Sequence, residues 1–123
     1  MDKARIKWIG VWVLQVLLAL IFFKAAHAKL TGNPMMVGLF QKWGYPENFH
    51  LLIGTFELLG AVGLLIPRLA GYVACGLTVI MLGALTTHLL YHEAQAIVPA
   101  VLLVFLGLII YARRPRFSPW RND

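Results

Sequence analysis

One carboxylate within an apolar segment is the residue of this chain best placed to do chemistry. Glu57 lies in the sequence IGTFELLGAVGLLI, residues 53–66, which is otherwise made of apolar and small side chains apart from one threonine. An ionised Glu in a bilayer costs at least ~3 kcal/mol on insertion scales, so it needs a partner, a water-filled pocket or a bound proton. Gly54, Glu57 and Ala61 share one helical face, a spacing that lets another helix approach closely.

The residues alone leave the role of Glu57 open. In a structural role it is protonated, or it is bonded to Gln15, Thr78 or Lys24, and it only fixes the register of the helices. In a functional role it lines a polar pocket and binds or protonates a ligand, since intramembrane acids mark functional sites by default. Exposure of Glu57 to lipid is the third alternative.

A second polar group follows along the chain at Thr86, Thr87 and His88. Beside an intramembrane Glu, this group would form a hydrogen-bond set or a proton path. Together these observations give one candidate ligand-binding set: Glu57, His88, Thr87, Gln15 and Lys24.

The sequence gives weaker evidence for a metal site than for a ligand-binding site, and no metal is assigned. His88 and His92 are four residues apart and share a helix face if the helix extends that far. With three further residues they are weak candidates for a metal site: Glu93, His27 and His50. No H-E-x-x-H pattern is present, and axial haem ligands would need facing helices at matched depth.

The amino-acid composition indicates whether these side chains lie in a soluble protein or in a membrane. The chain has 123 residues, is 60% hydrophobic and only 13% charged, and has a mean hydropathy of +0.77. Soluble domains average about 45–50% apolar and about 25% charged residues, so this is an integral membrane protein. The net charge of +6 comes mainly from the chain ends, which indicates topology signals and contacts with anionic lipid rather than nucleic acid.

The hydrophobic pattern predicts an all-α fold, a four-helix transmembrane bundle that forms one domain over residues 1–123. The predicted spans are residues 6–30, 46–66, 70–91 and 94–111. Between the first two spans, Asn33-Pro34 is a helix-start signal and Gly44 a stop, which predicts a short interfacial helix over 33–44. That helix is either a surface connector or a lid over a ligand cavity.

The first span must also be compared with a signal peptide, because its basic start and Ala26-His27-Ala28 resemble one. Its apolar core is long for a signal, and Gln15 and Lys24 fit a bundle helix. We therefore expect it to be a membrane helix.

Basic residues predict the orientation of this bundle. Three basic residues would lie on one side: Lys24, Lys29 and Lys42. Eight would lie on the other: Lys3, Arg5, Lys7, Arg68, Arg113, Arg114, Arg116 and Arg121. The positive-inside rule then places both termini in the cytoplasm. We expect the membrane that the bundle crosses to be a bacterial-type inner membrane.

The sequence contains a single cysteine, Cys75, inside an apolar segment. One cysteine forms neither an internal disulfide nor a CxxC centre, so this chain performs no dithiol chemistry alone.

Several blocks of the sequence resemble the DoxX-like family of small four-helix membrane proteins over about residues 8–112. The most specific are Glu57-Leu58-Leu59-Gly60 and Thr87-His88. The family resemblance implies a four-helix membrane bundle and a link to redox biology. One family name comes from a subunit of an archaeal thiosulfate:quinone oxidoreductase. Other members are placed near oxidative stress, and a distant animal relative is an assembly chaperone for receptor channels.

These observations lead to one functional hypothesis and two alternatives. The leading hypothesis is an auxiliary or redox-associated membrane protein with a pocket for a quinone-like or other lipophilic molecule in the outer half of the bundle. In that case it could be a subunit of a quinone-linked oxidoreductase, with no catalysis by this chain alone. The alternatives are a non-enzymatic chaperone or assembly factor and a small proton-coupled transporter, acting with a membrane partner or as a homo-oligomer.

Overall fold

The structure, a computed structural model, describes residues 2–114, and these are almost entirely helical. The five helices are α1 (Lys3–Leu30), α2 (Pro34–Lys42), α3 (Phe49–Leu64), α4 (Pro67–Leu90) and α5 (Ile97–Arg113), with a 3₁₀ turn at Ala94–Ala96 before α5. No strand occurs within residues 2–114, so the all-α prediction is confirmed.

Local signals set the ends of the first two helices as predicted. Gly32 adopts a left-handed φ of 68° directly after α1, and Asn33 accepts a hydrogen bond from the backbone N–H of Met35 at 3.0 Å. Pro34 then takes the first position of α2, where its missing N–H has no cost. Gly44 follows α2 with a φ of 79°, so the predicted stop at that glycine is confirmed.

The third helix is shorter than the predicted span 46–66. Asn48 has a φ of 66°, and α3 begins only after it, at Phe49. At the other end, α3 finishes at Leu64, and α4 begins at Pro67, three residues before the predicted start at 70. The 16 residues of α3 give about 24 Å of helix, against about 30 Å of bilayer hydrocarbon.

Three helices are long and apolar enough to cross a membrane: α1, α4, and the 3₁₀ turn together with α5 (Ala94–Arg113). Large apolar side chains cover their outward faces, among them Val79, Leu90 and Val104 at 63–71% exposure. Contiguous apolar surface on this scale requires an apolar surrounding, which a bilayer supplies.

The helices pack mainly in two pairs, α1 with α3 and α4 with α5, and these pairs meet between α3 and α4. The core between them is made of large apolar side chains, including Leu18, Phe22, Leu64, Leu77, Leu106 and Ile109. We call the end of the bundle near α2 the α2 end. The opposite end, where α1 begins and α5 finishes, is the basic end.

Glycines let α3 approach both of its neighbours. A Cβ on Gly54 would lie 2.8 Å from Cβ of Lys29 on α1, and a Cβ on Gly60 would lie 2.6 Å from a methyl group of Leu77 on α4. The contact at Gly54 is the less forgiving one, because a Cβ atom is held by its backbone whereas a leucine methyl is not. The predicted close approach along the Gly54 face is therefore present, and α1 is the neighbour.

Replacing Gly54 by Ala should destabilise the bundle by about 1–3 kcal/mol, because α1 and α3 must move apart to admit the new methyl group. The free energy of unfolding by SDS in mixed micelles measures this change. Gly76→Ala is the matched control, since nothing lies within 4 Å of the added Cβ. Equal stability of the two variants would contradict a tight α1–α3 contact at Gly54.

Candidate functional site

The carboxylate of Glu57 is buried against a lysine of α1. Nζ of Lys29 lies 2.8 Å from Oε1 of Glu57, and the two side chains are 11% and 2% exposed. Lys29 therefore supplies the positive charge that compensates an ionised acid within the membrane. Its location explains why Gly54 is needed, since Gly54 faces the base of the same lysine side chain.

Sequence reasoning missed Lys29 and considered Lys24 instead. At about 100° per residue, positions seven apart share a helix face, so Lys29 lies on the same side of α1 as Phe22 and Gln15, both buried. Lys24 is nine residues after Gln15 and therefore points away from the buried side of α1, and it is exposed. Had Gln15 been known to be buried, helical spacing from it would have identified Lys29 as the lysine that faces Glu57.

Gln15 is held near the basic end of the bundle, away from Glu57. Its side-chain Nε2 donates to the backbone oxygen of Leu64 at 2.7 Å, and its Oε1 accepts from Nε of Arg113 at 2.7 Å. Leu64 ends α3, so Gln15 satisfies a carbonyl that has no partner within the helix. Gln15 and Lys29 are fourteen residues apart, roughly 21 Å along α1.

At the α2 end, the carboxylate of Glu93 contacts one residue of α2 and one residue of α4. Oε2 of Glu93 lies 3.0 Å from Nζ of Lys42, and Oε1 lies 2.7 Å from Nδ1 of His88. The hydrogen bond from Lys42 is the main cause that lowers the pKa of Glu93; partial burial opposes it and the contact with His88 adds to it. The carboxylate therefore links α2 to the last turns of α4.

Aromatic residues close the same end. The hydroxyls of Tyr45 and Thr87 are 2.5 Å apart, and the ring of Trp43 lies 5.2 Å from that of His88, edge to face. Tyr91 donates a hydrogen bond to the backbone oxygen of Trp43 at 3.2 Å. The predicted connector therefore packs as a cap on the end of α4.

The structure divides the predicted ligand-binding set among separate neighbours. Glu57 contacts Lys29, Gln15 contacts Arg113, and the Thr87–His88 pair contacts the cap and Glu93. The predicted ligand-binding roles of these residues stay predictions. The polar contacts that the structure does show for them are made with protein groups.

The weak metal candidates His88 and His92 do not share a helix face. Helix α4 ends at Leu90, and His92 lies beyond it with a left-handed φ of 54°. Within residues 2–114, no group of three or more His, Cys, Asp or Glu side chains is arranged to hold a metal ion.

Two grooves open on the surface of the bundle. One, of about 520 Å³, lies between α1 and α3 and is lined by Phe23, Lys24, Ala26, His27, Leu30, Thr31 and Leu58. The other, of about 380 Å³, lies between α3 and α4, with a lining that includes Phe56, Leu59, Val73 and Gly76. Glu57 and His88 line neither groove. Lys24 is the one predicted ligand-binding residue that lines either of them.

Comparison with protein families gave one finding. The DoxX-like family profile matches residues 13–110, most of the chain. No curated protein and no solved structure gave a match.

Removing one partner of the buried ion pair should cost about 3–5 kcal/mol, because the other charge is left unpaired away from water. We expect this for Glu57→Met and for Lys29→Met separately, measured as the free energy of unfolding by SDS. The double variant should recover most of the loss, since neither charge is then buried.

Lys24→Met is the control, because Lys24 is exposed and the structure shows no ion pair for it. If the losses of the two single variants simply add in the double variant, Lys29 and Glu57 do not stabilise each other.

Acid should loosen the α2 end. Because the pKa of Glu93 is lower in the folded chain than in the unfolded chain, its stabilisation is present above the ordinary Glu pKa. It is lost as the pH falls through the lower folded value. Midpoints of thermal unfolding measured from about pH 7 to about pH 3 should therefore fall more steeply for wild type than for Glu93→Gln.

Glu47→Gln removes an exposed carboxylate for which the structure shows no ion pair. This control should keep the wild-type profile. Parallel pH profiles for wild type and Glu93→Gln would refute the contribution of Glu93.

Proposed function

The chain belongs to the DoxX-like family, and we propose that it is an auxiliary membrane protein that binds a lipophilic molecule with a quinone-like head group. It does so without catalysing a reaction by itself. The observation that carries this proposal is the groove between α1 and α3, of about 520 Å³. Small-molecule sites in proteins commonly measure about 300–1,000 Å³.

The lining of this groove is suited to such a molecule. Phe23, Leu30 and Leu58 give it apolar walls for a ring or an isoprenoid-like tail. Lys24 and His27 are three residues apart on α1, so they lie on one face and both line the groove. The surface of the groove is almost entirely apolar, so a quinone-like head would be held by the nitrogens of Lys24 and His27 turning toward its carbonyl oxygens.

Glu57 has a supporting part in this proposal. Lys29 and Glu57 are the chain neighbours of Leu30 on α1 and Leu58 on α3, which both line the groove. By holding α1 against α3, the ion pair sets the width of the groove. A proton-coupled transporter would need Glu57 to exchange a proton with water, and its 2% exposure favours the supporting part.

We also propose that α1, α3, α4 and α5 all cross the membrane, with both termini in the cytoplasm of a bacterial-type cell. The basic residues support this orientation. Within residues 2–114, most of them lie at the basic end, where α1 starts and α5 finishes: Lys3, Arg5, Lys7, Arg68, Arg113 and Arg114. Such a concentration is typical of the cytoplasmic side.

The binding proposal predicts that a quinone-class molecule co-purifies with the protein. After extraction from membranes in mild detergent, mass spectrometry of the bound lipophilic fraction should detect it. Leu58→Trp, which fills the groove, should lower the bound amount by about tenfold, equivalent to ~1.4 kcal/mol of binding free energy. Lys24→Leu should lower it as well, through loss of a donor to the head group.

Leu59→Trp makes the same change one residue away, on the lining of the other groove, and should retain the ligand. Equal ligand content in the two tryptophan variants would refute the α1–α3 groove as the site. A crosslinked protein partner in the absence of any bound lipophile would favour the assembly-factor alternative.

A further inference from the structure

The two ends of the bundle differ in how their charges are compensated. At the α2 end, Glu57 and Glu93 are each paired with a lysine. At the basic end, the described residues include six cations and, among carboxylates, Asp2 alone, which accepts a hydrogen bond from the backbone N–H of Arg5 at 2.8 Å. The cations there lack carboxylate partners from the described part of the chain.

Two of these cations lie against one aromatic ring where the start of α1 meets the end of α5, and a third lies against a second ring of α1. Nζ of Lys7 lies 5.8 Å from the centre of the Tyr111 ring, and the guanidinium of Arg114 lies 4.9 Å from the same centre. Arg113, the neighbour of Arg114, stacks 5.9 Å from the ring of Trp12. We call Lys7, Tyr111, Arg113 and Arg114 the Tyr111 cluster.

Arg113 is fixed in place within this cluster. Its Nε donates to Gln15, whose own amide is held by the carbonyl of Leu64. Its Nη2 is buried and has no hydrogen-bond partner within residues 2–114. The bond at Nε holds the guanidinium in one orientation at this end of the bundle, and phosphate is an anion whose geometry a guanidinium matches well.

We propose that the Tyr111 cluster binds the phosphate group of an anionic phospholipid. Lys7 and Arg114 share one aromatic ring and repel each other, and a phosphate that contacts both would reduce that repulsion. The exposed apolar residues Val104 and Leu108 lie on the same face of α5 as Tyr111, one and two turns along, where acyl chains would lie. This apolar continuation favours a lipid over a free phosphate ion.

The site is independent of the proposed ligand groove. The groove is built from the second half of α1 and the middle of α3, whereas the Tyr111 cluster is built from the start of α1 and the end of α5. A variant of one should therefore leave the other intact.

Native mass spectrometry of the full chain tests this proposal. The protein is equilibrated in micelles with equal amounts of phosphatidylglycerol, which is anionic, and phosphatidylcholine, which is not. Wild type should retain phosphatidylglycerol preferentially. Lys7→Gln/Arg114→Gln should retain about tenfold less, since each basic residue strengthens attraction to an anionic lipid severalfold.

Lys3→Gln/Arg68→Gln removes the same number of charges from the same end but leaves the cluster intact, so it should retain phosphatidylglycerol as wild type does. Lys7→Arg/Arg114→Lys keeps the charges and should also retain it. Equal losses in the two glutamine double variants, or equal retention of the two lipids by wild type, would overturn the proposal.

A second arm separates the lipid from a free ion. Inorganic phosphate, added without lipid, should leave the thermal midpoint unchanged, whereas phosphatidylglycerol should raise it in wild type but not in Lys7→Gln/Arg114→Gln. Stabilisation by inorganic phosphate equal to that by phosphatidylglycerol would overturn the assignment to a lipid.

Discussion

A lysine and a glutamate that must meet inside an apolar bundle fix the arrangement of this protein. Neither Lys29 nor Glu57 can be left alone in hydrocarbon, so α1 and α3 have one register in which both charges are compensated. Gly54 makes that register sterically available, and the bond from Gln15 to the carbonyl of Leu64 repeats the constraint further along the same seam. Two polar contacts at different levels fix both the sliding and the rotation of the two helices.

In this arrangement, the polar side chains that hold the helices together are different from those that a ligand can reach. The side chains of Lys29, Glu57 and Gln15 are directed into helix–helix contacts, whereas Lys24 and His27 remain on a groove that opens outward. The cap formed by α2 and the following connector adds a third set of polar contacts at the end of α4. The buried polar side chains are therefore used in contacts between helices, whereas Lys24 and His27 remain accessible to a ligand on the groove beside them.

Much of the fold follows from local signals in the sequence. Apolar segments of sufficient length predicted the helices. Gly32 and Gly44 marked helix ends because glycine tolerates a left-handed conformation, and Asn33 marked the start of α2 because its side chain caps the helix. The partner of Glu57 was a harder problem, since it depends on which face of α1 meets α3. Spacing from Gln15 contains that information only once Gln15 is known to be buried. The contact between Arg113 and Gln15 joins residues 98 apart in the chain, and no local pattern encodes it.

The unequal lengths of α1 and α3 bear on the membrane itself. With 28 residues in one and 16 in the other, paired side by side, the bundle presents a tall face and a short face to the surrounding lipid. If α3 crosses the bilayer, as we propose, acyl chains beside the short face must compress to match it, and such hydrophobic mismatch sorts proteins among membranes of different thickness. A thinned bilayer beside α3 would also bring the head-group region closer to the Lys29–Glu57 pair. The ion pair would then sit at a shallower depth than its place in the helix alone implies.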